Sequence, residues 1–327
     1  MSNKQRKEVK NETFFLFVAA IFSKSIIRNR GIAMSKLRAS CDKYLADREL
    51  WLQKPMSQKY FIEQEKRYVH PFNIYGNVWY VGDNWVCVHL IDTGNGLLLI
   101  DAGNAGATAM LVNAIWEAGF KPKDVKWIVL SHGHLDHIGG ALFFQRMFGT
   151  KLYMGKPDAY DFIHHPEISL IQDSGNLADE VFRVDYAIKD KEHIKFGGMD
   201  FYFRLCPGHT AGVIATFFDV KGKEGIKRAG YYGGFGFNTL QKEYLLDIGD
   251  TEYKMRYLYL ESLKKVRNER VELFLGNHTT NNDTIGRMEK LKQNPSANPF
   301  IDDTLWGKEL DFRIERIENL ISDPSQN

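Results

Sequence analysis

Short apolar runs separated by glycine, asparagine and aspartate begin near residue 72 and predict a β-sheet. Three consecutive runs have this character, and together they predict a meander of three strands. The runs are Phe72–Gly82, Trp85–Asp92 and Gly96–Gly103.

The chain before this sheet has a different pattern. From Met34 to about Lys66 the residues are mostly polar with apolar positions at helical spacing, and Pro55 is expected to interrupt the helix. The change in pattern predicts two parts, an N-terminal extension that is partly helical over residues 1–60 and a second domain over residues 61–327.

Beyond the meander, helical and strand patterns alternate. A helix is predicted over Asn104–Phe120, with Asn104 as its N-cap and an end near Gly119. A buried strand, a helix and a further strand are expected next, over Val125–His132, Ile138–Gly149 and Lys151–Gly155.

The second half of the chain repeats this arrangement of strands followed by helices. Two runs of strands, each followed by helices, predict an α+β protein in which two mixed sheets pack face to face with helices outside. The strands are expected at Met199–His209, Gly212–Val220, Arg228–Gly234 and Val271–His278, and the helices at Thr251–Asn268, Asp283–Gln293 and Asp302–Ser322.

Composition narrows the possible partners. The 327 residues are 44% hydrophobic and 26% charged, which is ordinary for a globular protein with a sizeable core. The net charge of +2 gives no strong attraction to nucleic acid or to a membrane surface. We therefore expect a small-molecule substrate, no nucleic acid and no stable membrane partner, and leave the oligomeric state open.

Cysteine usage and the N-terminus bear on location. Cys41, Cys87 and Cys206 are far apart and odd in number, which fits a reducing compartment, and Cys206 is expected to be a buried strand residue. The run Phe14–Phe22 resembles the apolar part of a signal peptide but is too short to span a bilayer. We expect a cytoplasmic protein; export is the alternative if residues 1–25 act as a signal, and translation from Met34 is a second open point.

One short stretch, SHGHLDHIGG, concentrates metal-binding side chains. His132, His134, Asp136 and His137 lie within six residues, and imidazole nitrogen and carboxylate oxygen are natural zinc ligands. Four ligands so close in sequence suit two ions better than one. His132 and His134 can converge on one metal, and the other two can turn toward a second. Asp136 also has a simpler interpretation, as the N-cap of the next helix.

Two further histidines follow predicted strands. His209 stands in CPGHT and His278 in GNHTT, so both share the strand-end position of His132. Loops after strands are where a rigid scaffold presents chemistry, and we expect the three to meet. The remaining histidines are interpreted as structural or solvated, with two of them, His164 and His165, as weaker candidates for substrate contact; the others are His70, His89 and His193.

The run HGHLDH, then PGHT, then a later strand-end histidine resembles the metallo-β-lactamase superfamily, and the similarity extends from about residue 70 to 320. The resemblance implies an αβ/βα sandwich with a two-zinc site at the sheet edges and a zinc-bound hydroxide as nucleophile. It implies a first zinc set of His132, His134 and His209, and a second set of Asp136, His137 and His278, with the catalytic role assigned to Asp136. Asp101, and more weakly Thr210, would orient ligands, while Asn238 and Thr239 would donate hydrogen bonds to substrate.

The absence of one aspartate distinguishes between the classes of hydrolase within the superfamily. Many members carry an aspartate that bridges both metals, but the corresponding segment here, Tyr231–Leu240, contains no carboxylate. This resembles the histidine-rich two-zinc subclass of metallo-β-lactamases, although the serines typical of that subclass are missing. We therefore expect a dinuclear zinc hydrolase that attacks a cyclic amide or a related acyl carbon. Hydrolysis of a lactone, thioester or phosphodiester, or a non-hydrolytic metal-binding role, stays open.

Overall fold

The computed structural model of the protein describes residues 35–36, 38–46, 63–104, 106–170 and 181–326. The chain divides into two units, Met1–Lys59 and Tyr60–Asn327. The described residues of the first unit are helical. The signal-like run Phe14–Phe22 and the break predicted at Pro55 lie outside the described residues. In the part of the chain that is described, no helix has both the length and the apolar character needed to cross a membrane.

The first sheet has seven strands in chain order. Its first four strands pair antiparallel and its last four pair parallel, with the fourth strand shared, so the sheet is mixed. The strands are β1 (Phe72–Tyr75), β2 (Val78–Tyr80), β3 (His89–Asp92), β4 (Leu97–Ile100), β5 (Val125–Leu130), β6 (Lys151–Gly155) and β7 (Tyr186–Ile188).

The second sheet has five strands in the order β12-β11-β10-β9-β8. Three of its four pairings are antiparallel and the pairing of β11 with β12 is parallel, so this sheet is mixed as well. The strands are β8 (Glu192–Phe196), β9 (Met199–Leu205), β10 (Ile214–Gly222), β11 (Gly225–Tyr232) and β12 (Leu273–Leu275).

Nine α-helices of the second unit lie in the described residues. They are α1 (Gln64–Arg67), α2 (Thr108–Glu117), α3 (Leu135–Ile138), α4 (Ala141–Phe148), α5 (Lys156–His164), α6 (Lys242–Asp247), α7 (Lys254–Val266), α8 (Thr284–Gln293) and α9 (Leu305–Ser322).

Buried apolar side chains form three clusters that define the layers. The central cluster combines residues of both sheets, such as Ile100 of β4 with Phe218 of β10, and fills the space between them. A second cluster packs the outer face of the first sheet on α2 and α4, and a third packs the second sheet on α7 and α9. The predicted sandwich of two mixed sheets flanked by helices is thus confirmed.

Several local predictions were wrong in physically informative ways. The first predicted strand is a hairpin, since Gly76 has a positive φ of 53° and turns the chain between β1 and β2. Asn104 does not cap a helix, because α2 begins at Thr108 after Ala107. Asp136 is not an N-cap either: His134 occupies that position, and Asp136 lies in the first turn of α3.

Candidate metal centre

Three loops bring the predicted ligands together at one edge of the sandwich. The first follows β5, a largely buried strand of branched and aromatic residues, and leads into α3. The others follow β9 and β12 and carry His209 and His278. The ring centroids of His132 and His209 are 4.9 Å apart, and those of His137 and His278 are 5.1 Å apart.

A pair of glycines holds the first loop against the end of β4. Gly139 and Gly140 donate backbone hydrogen bonds to the carbonyls of Gly103 and Ala102 at 2.9 and 3.0 Å. A Cβ on Gly140 would lie 2.9 Å from the Ala102 carbonyl oxygen, so a larger residue would force the loop away. The glycines that close the histidine motif therefore help to fix its position.

The first predicted ligand set is compact and buried. One nitrogen from each of His132, His134 and His209 lies within 4.8 Å of the others. The Nε2 atom of His132 is 3.1 Å from Nδ1 of His134. All three side chains are buried and therefore shielded from bulk water.

The second predicted set is more open. Ligand atoms of His132, Asp136 and His137 lie within 4.8 Å of one another, so His132 borders both groups. Oδ2 of Asp136 is 3.5 Å from Nε2 of His137 and 3.6 Å from Nε2 of His278. The structure therefore brings together all six residues to which the resemblance assigned ligand roles.

Hydrogen bonds on the outer ring nitrogens fix the protonation of three histidines. Nδ1 of His209 is 2.9 Å from the Gly236 carbonyl, which can only accept, so Nδ1 carries the proton. Nδ1 of His137 faces Oδ2 of Asp101 at 2.7 Å and donates to it in the same way. Nε2 is then the nitrogen that presents a lone pair when each ring is neutral.

His132 also carries its proton on Nδ1, where the acceptor is a serine hydroxyl. Its Nδ1 lies 3.0 Å from Oγ of Ser131, and that hydroxyl gives its own hydrogen to Asp101 at 2.9 Å. Oγ of Ser131 must therefore accept from Nδ1 of His132. The Nε2 lone pair of His132 is left facing His134.

The protonation state of the cluster favours metal binding. Burial lowers the pKa of His134 and His278 to about 4 and that of His132 and His209 well below the usual range, and neighbouring histidines lower the latter two further. These four rings are neutral at neutral pH, and a neutral imidazole is the form that ligates metals.

His137 differs from the other ligands. Burial acts to lower its pKa, but the carboxylates of Asp136 and Asp101 outweigh burial and raise it to about 9 without a metal. Burial acts in the opposite direction on Asp136, yet the histidine charges bring its pKa below the usual range. Asp136 therefore stays ionised at neutral pH.

The side chains fit a zinc pair. Nε2 of His137 is buried without a hydrogen-bond partner among the described residues, and lone pairs of the other rings converge beside it. Such an arrangement is costly without a cation, since buried polar atoms need partners. Five histidines and one carboxylate are the donor types that zinc prefers.

Asp101 is the anchor behind the centre. Its buried carboxylate accepts the backbone N–H of Ser131 at 2.7 Å, the hydroxyls of Ser131 and Tyr231, and Nδ1–H of His137. The residue has a φ of 65°, a strained left-handed conformation that aspartate tolerates better than most residues. The structure thus places Asp101 directly behind His137, where it was expected to orient a ligand.

The other predicted contact residues have different surroundings. Oγ1 of Thr210 donates to Asp158 at 2.6 Å and forms no hydrogen bond with a histidine ring. Thr239 is buried, and it donates to the backbone carbonyl of His209 at 2.7 Å while its Oγ1 lies 3.0 Å from Nδ1 of that ring. The side chain thus supports His209 from behind, and its expected role as a substrate donor stays a prediction. Asn238 is exposed and stays a candidate for substrate contact.

Sequence reasoning missed Asp158, a fully buried carboxylate in the first turn of α5. Its oxygens accept the backbone N–H groups of Gly133 and Gly212. Burial raises its pKa to about 6, although hydrogen bonds from Thr210, Gly133 and Gly212 act to lower it. The only sequence signal was an aspartate two residues into a helix that was not predicted.

The remaining histidines lie away from the cluster. His70 is exposed beside Glu117, and Nε2 of His89 bonds to the Gly276 carbonyl at 2.8 Å. His193 lies in β8. His164 is the last residue of α5 and His165 is its C-cap, and both are exposed.

Comparisons with known proteins agree with this geometry. Residues 86–222 match the family model of the metallo-β-lactamase superfamily. The fold is similar to the FEZ-1 metallo-β-lactamase from Legionella gormanii, with a TM-score of 0.71 and 24% identity over 80% of this chain and 99% of that one. It is also similar to BJP-1, a subclass B3 metallo-β-lactamase of Bradyrhizobium japonicum, with a TM-score of 0.70 and 24% identity over 80% and 97% of the two chains.

Curated relatives are similar to part of this chain. The hydroxyacylglutathione hydrolase GloC of Haemophilus influenzae is 29% identical over 39% of this chain and 58% of its own length. The chain thus spans only about half the length of the curated relatives it matches. The predicted resemblance is confirmed: part of the chain matches the family model of the metallo-β-lactamase superfamily, and the fold is the metallo-β-lactamase fold.

Proposed function

We propose that this chain is a dinuclear zinc hydrolase that attacks a cyclic amide or a related acyl carbon, as a β-lactamase does. One observation carries the proposal. Two groups of ligand atoms share His132 at one sheet edge, and within each group the atoms lie within 4.8 Å of one another. Two ions held there would be neighbours, which is the arrangement that two-metal hydrolysis requires.

Each ligand has a defined task in this proposal. His132, His134 and His209 would hold one ion, and Asp136, His137 and His278 the other. Bound zinc lowers the pKa of water from 15.7 to about 7 and so supplies a nucleophile at neutral pH. Asp101 holds the ring of His137, and the Gly236 carbonyl and Thr239 hold that of His209. The ionised Asp136 faces both His137 and His278, and we assign to it the role of proton acceptor at the site.

The segment after β11 supports acyl substrates over phosphodiesters. It contributes glycine backbone: a Cβ on Gly236 would lie 2.5 Å from Cε1 of His209, and one on Gly234 would lie 3.0 Å from Cβ of His209. The chain therefore passes close to this histidine but offers no carboxylate to bridge two ions. A carbonyl carbon can be attacked without such a bridge, whereas in-line displacement at phosphorus relies on two ions held together to stabilise both the attacking and the leaving oxygen.

A thioester hydrolase is the second candidate. It is favoured by the curated relatives, two of which are named hydroxyacylglutathione hydrolases. A thioester also presents an acyl carbon to the same site, so the two candidates differ in the substrate and share the metal centre.

Zinc titration of the metal-free protein should reach a plateau at about two ions per chain, because six ligands form two sets. His278→Ala should lower the plateau to about one, since the first set keeps all three of its histidines. Elemental analysis after gel filtration measures both values. A wild-type plateau at zero would contradict the metal centre, and an unchanged plateau in the variant would contradict the assignment of His278.

A substrate panel on one zinc-loaded preparation tests the reaction. We expect kcat/KM for a chromogenic cephalosporin to exceed that for bis-p-nitrophenyl phosphate by at least about 100-fold, or about 2.7 kcal/mol in activation free energy. A hydroxyacylglutathione thioester is measured beside them. Faster thioester cleavage would replace the first candidate by the second, a preference for the phosphodiester would overturn both, and activity on none of them would favour a non-hydrolytic metal protein.

A further inference from the structure

We propose that Asp158 is a positioning residue that sets the spacing of the first ligand set, namely His132, His134 and His209. The inference rests on the proposed metal centre and adds to it a residue that contacts no ligand ring. Asp158 lies in α5, an element that carries none of the six proposed ligands.

The contacts of Asp158 join the two loops that carry this set. Oδ2 accepts the backbone N–H of Gly133, the residue between His132 and His134, at 2.9 Å. Oδ1 accepts the backbone N–H of Gly212 at 2.5 Å, three residues after His209. One rigid carboxylate therefore ties the loop after β5 to the loop after β9.

A third hydrogen bond strengthens the connection between Asp158 and the loop after β9. Thr210, the residue directly after His209, donates its hydroxyl to Oδ2 of Asp158 at 2.6 Å. Hydrogen bonds to an ionised acceptor are shorter and stronger than neutral ones. The side chain of Asp158 is completely buried, so these bonds are shielded from bulk water.

Close packing gives the carboxylate a single position. A Cβ on Gly212 would lie 2.3 Å from the backbone nitrogen of Asp158 and 2.7 Å from its Cβ. A Cβ on Gly155, the residue before α5, would lie 2.0 Å from the Gly212 carbonyl oxygen. The backbones of β6, α5 and the loop after β9 are therefore in direct contact, which fixes the position of Asp158 relative to both loops.

Loss of the carboxylate should act on the metal through the histidine spacing. Asparagine has nearly the same shape but only one acceptor oxygen, so at least one of the two backbone N–H groups would face an amide N–H. Partners that orient ligands typically contribute 10- to 100-fold to metal affinity. We expect Asp158→Asn to weaken zinc binding to the first set by a factor in this range.

The experiment measures zinc affinity of the full chain by competition with a chromophoric chelator, together with unfolding of the metal-free and zinc-loaded forms. A purely structural role would lower the stability of both forms equally. A positioning role also reduces the gain in stability that zinc confers, because that gain depends on affinity. The matched control is Asp185→Asn: Asp185 accepts the backbone N–H of Leu152 at 3.1 Å and makes none of its hydrogen bonds with a proposed ligand.

A second pair of variants keeps the test decisive if Asp158→Asn does not fold. Thr210→Val removes one donor to Asp158 with little change in shape, whereas Thr210→Ser keeps the hydroxyl. We expect about tenfold weaker zinc binding for the valine variant and affinity within about threefold of wild type for the serine variant. Equal affinities in this pair would overturn the role of the bond.

The outcomes for the inference and for the proposed function are distinct. A wild-type chain that binds no zinc overturns the metal centre and this inference with it. A wild type that binds zinc, with Asp158→Asn binding as tightly as Asp185→Asn, overturns only the inference. A selective 10- to 100-fold loss in Asp158→Asn supports it.

Discussion

Replacing His134 or Asp136 by alanine is expected to lower kcat/KM for the best substrate by at least about 1,000-fold, or about 4 kcal/mol in activation free energy. Each change removes one ligand from a set of three. His134 is the N-cap residue of α3 and caps it with no side-chain hydrogen bond, and Asp136 lies at the mouth of the site. The sandwich core is built from other residues, so the fold should be retained.

Two matched variants control for the loss of a histidine or an aspartate as such. His193→Ala changes an exposed histidine of β8, and Asp124→Ala changes an exposed carboxylate directly before β5, at the end of the strand opposite the cluster. Both should keep wild-type kcat/KM. The assignment would be wrong if His134→Ala or Asp136→Ala, folded and at saturating zinc, kept more than about one tenth of wild-type turnover, a difference under about 1.4 kcal/mol.

The sequence predicts best what depends on neighbours in the chain. The strand before the cluster is recognisable because every residue of Val125–Leu130 except Lys126 is apolar. The four ligands from His132 to His137 lie in one loop and one helical turn, so their convergence follows from local spacing. The glycine pair at Gly139 and Gly140 likewise marks the point where this loop closes on β4.

The contacts that support the ligands could not be predicted, because they join residues far apart in sequence. Asp158 bonds to residues 25 and 54 positions away, and no periodicity links those positions. Its helix, Lys156–His164, has a mostly polar sequence with only part of one face buried, so the apolar pattern is weak. The proposed metal ligands can be predicted from this sequence, whereas the residues that position them cannot.

Side-chain direction is the other property that the sequence does not reveal. Thr239 lies in the right loop, but a short 3₁₀ helix over Asn238–Leu240 turns its side chain inward beneath His209 and leaves Asn238 exposed. Neighbouring positions in such a turn face different surroundings. The sequence locates the loop and cannot choose between its two polar residues.

Asp101→Asn is expected to lower the free energy of unfolding by about 3–5 kcal/mol, the range for breaking a buried ion pair by removing one partner. Without metal, the raised pKa of His137 keeps its imidazole charged at neutral pH beside this carboxylate. Asparagine keeps the shape of aspartate and tolerates the same left-handed φ, so the change removes the charge and one acceptor oxygen without straining the backbone. The new amide N–H groups would face donors, namely the Ser131 and Tyr231 hydroxyls and Nδ1–H of His137.

Urea unfolding of the metal-free chain at pH 7 measures this effect, and Tyr231→Phe is the matched control. The tyrosine change removes only one of the four hydrogen bonds that Asp101 accepts, and it should cost about 1–2 kcal/mol. The difference in the free energy of unfolding between the two variants then measures the effect of losing the carboxylate beyond the loss of a single hydrogen bond. Equal stabilities of the two variants would show that the charge of Asp101 does not hold the ligand loop. In that case the backbone hydrogen bonds of Gly139 and Gly140 would have to fix the position of the loop.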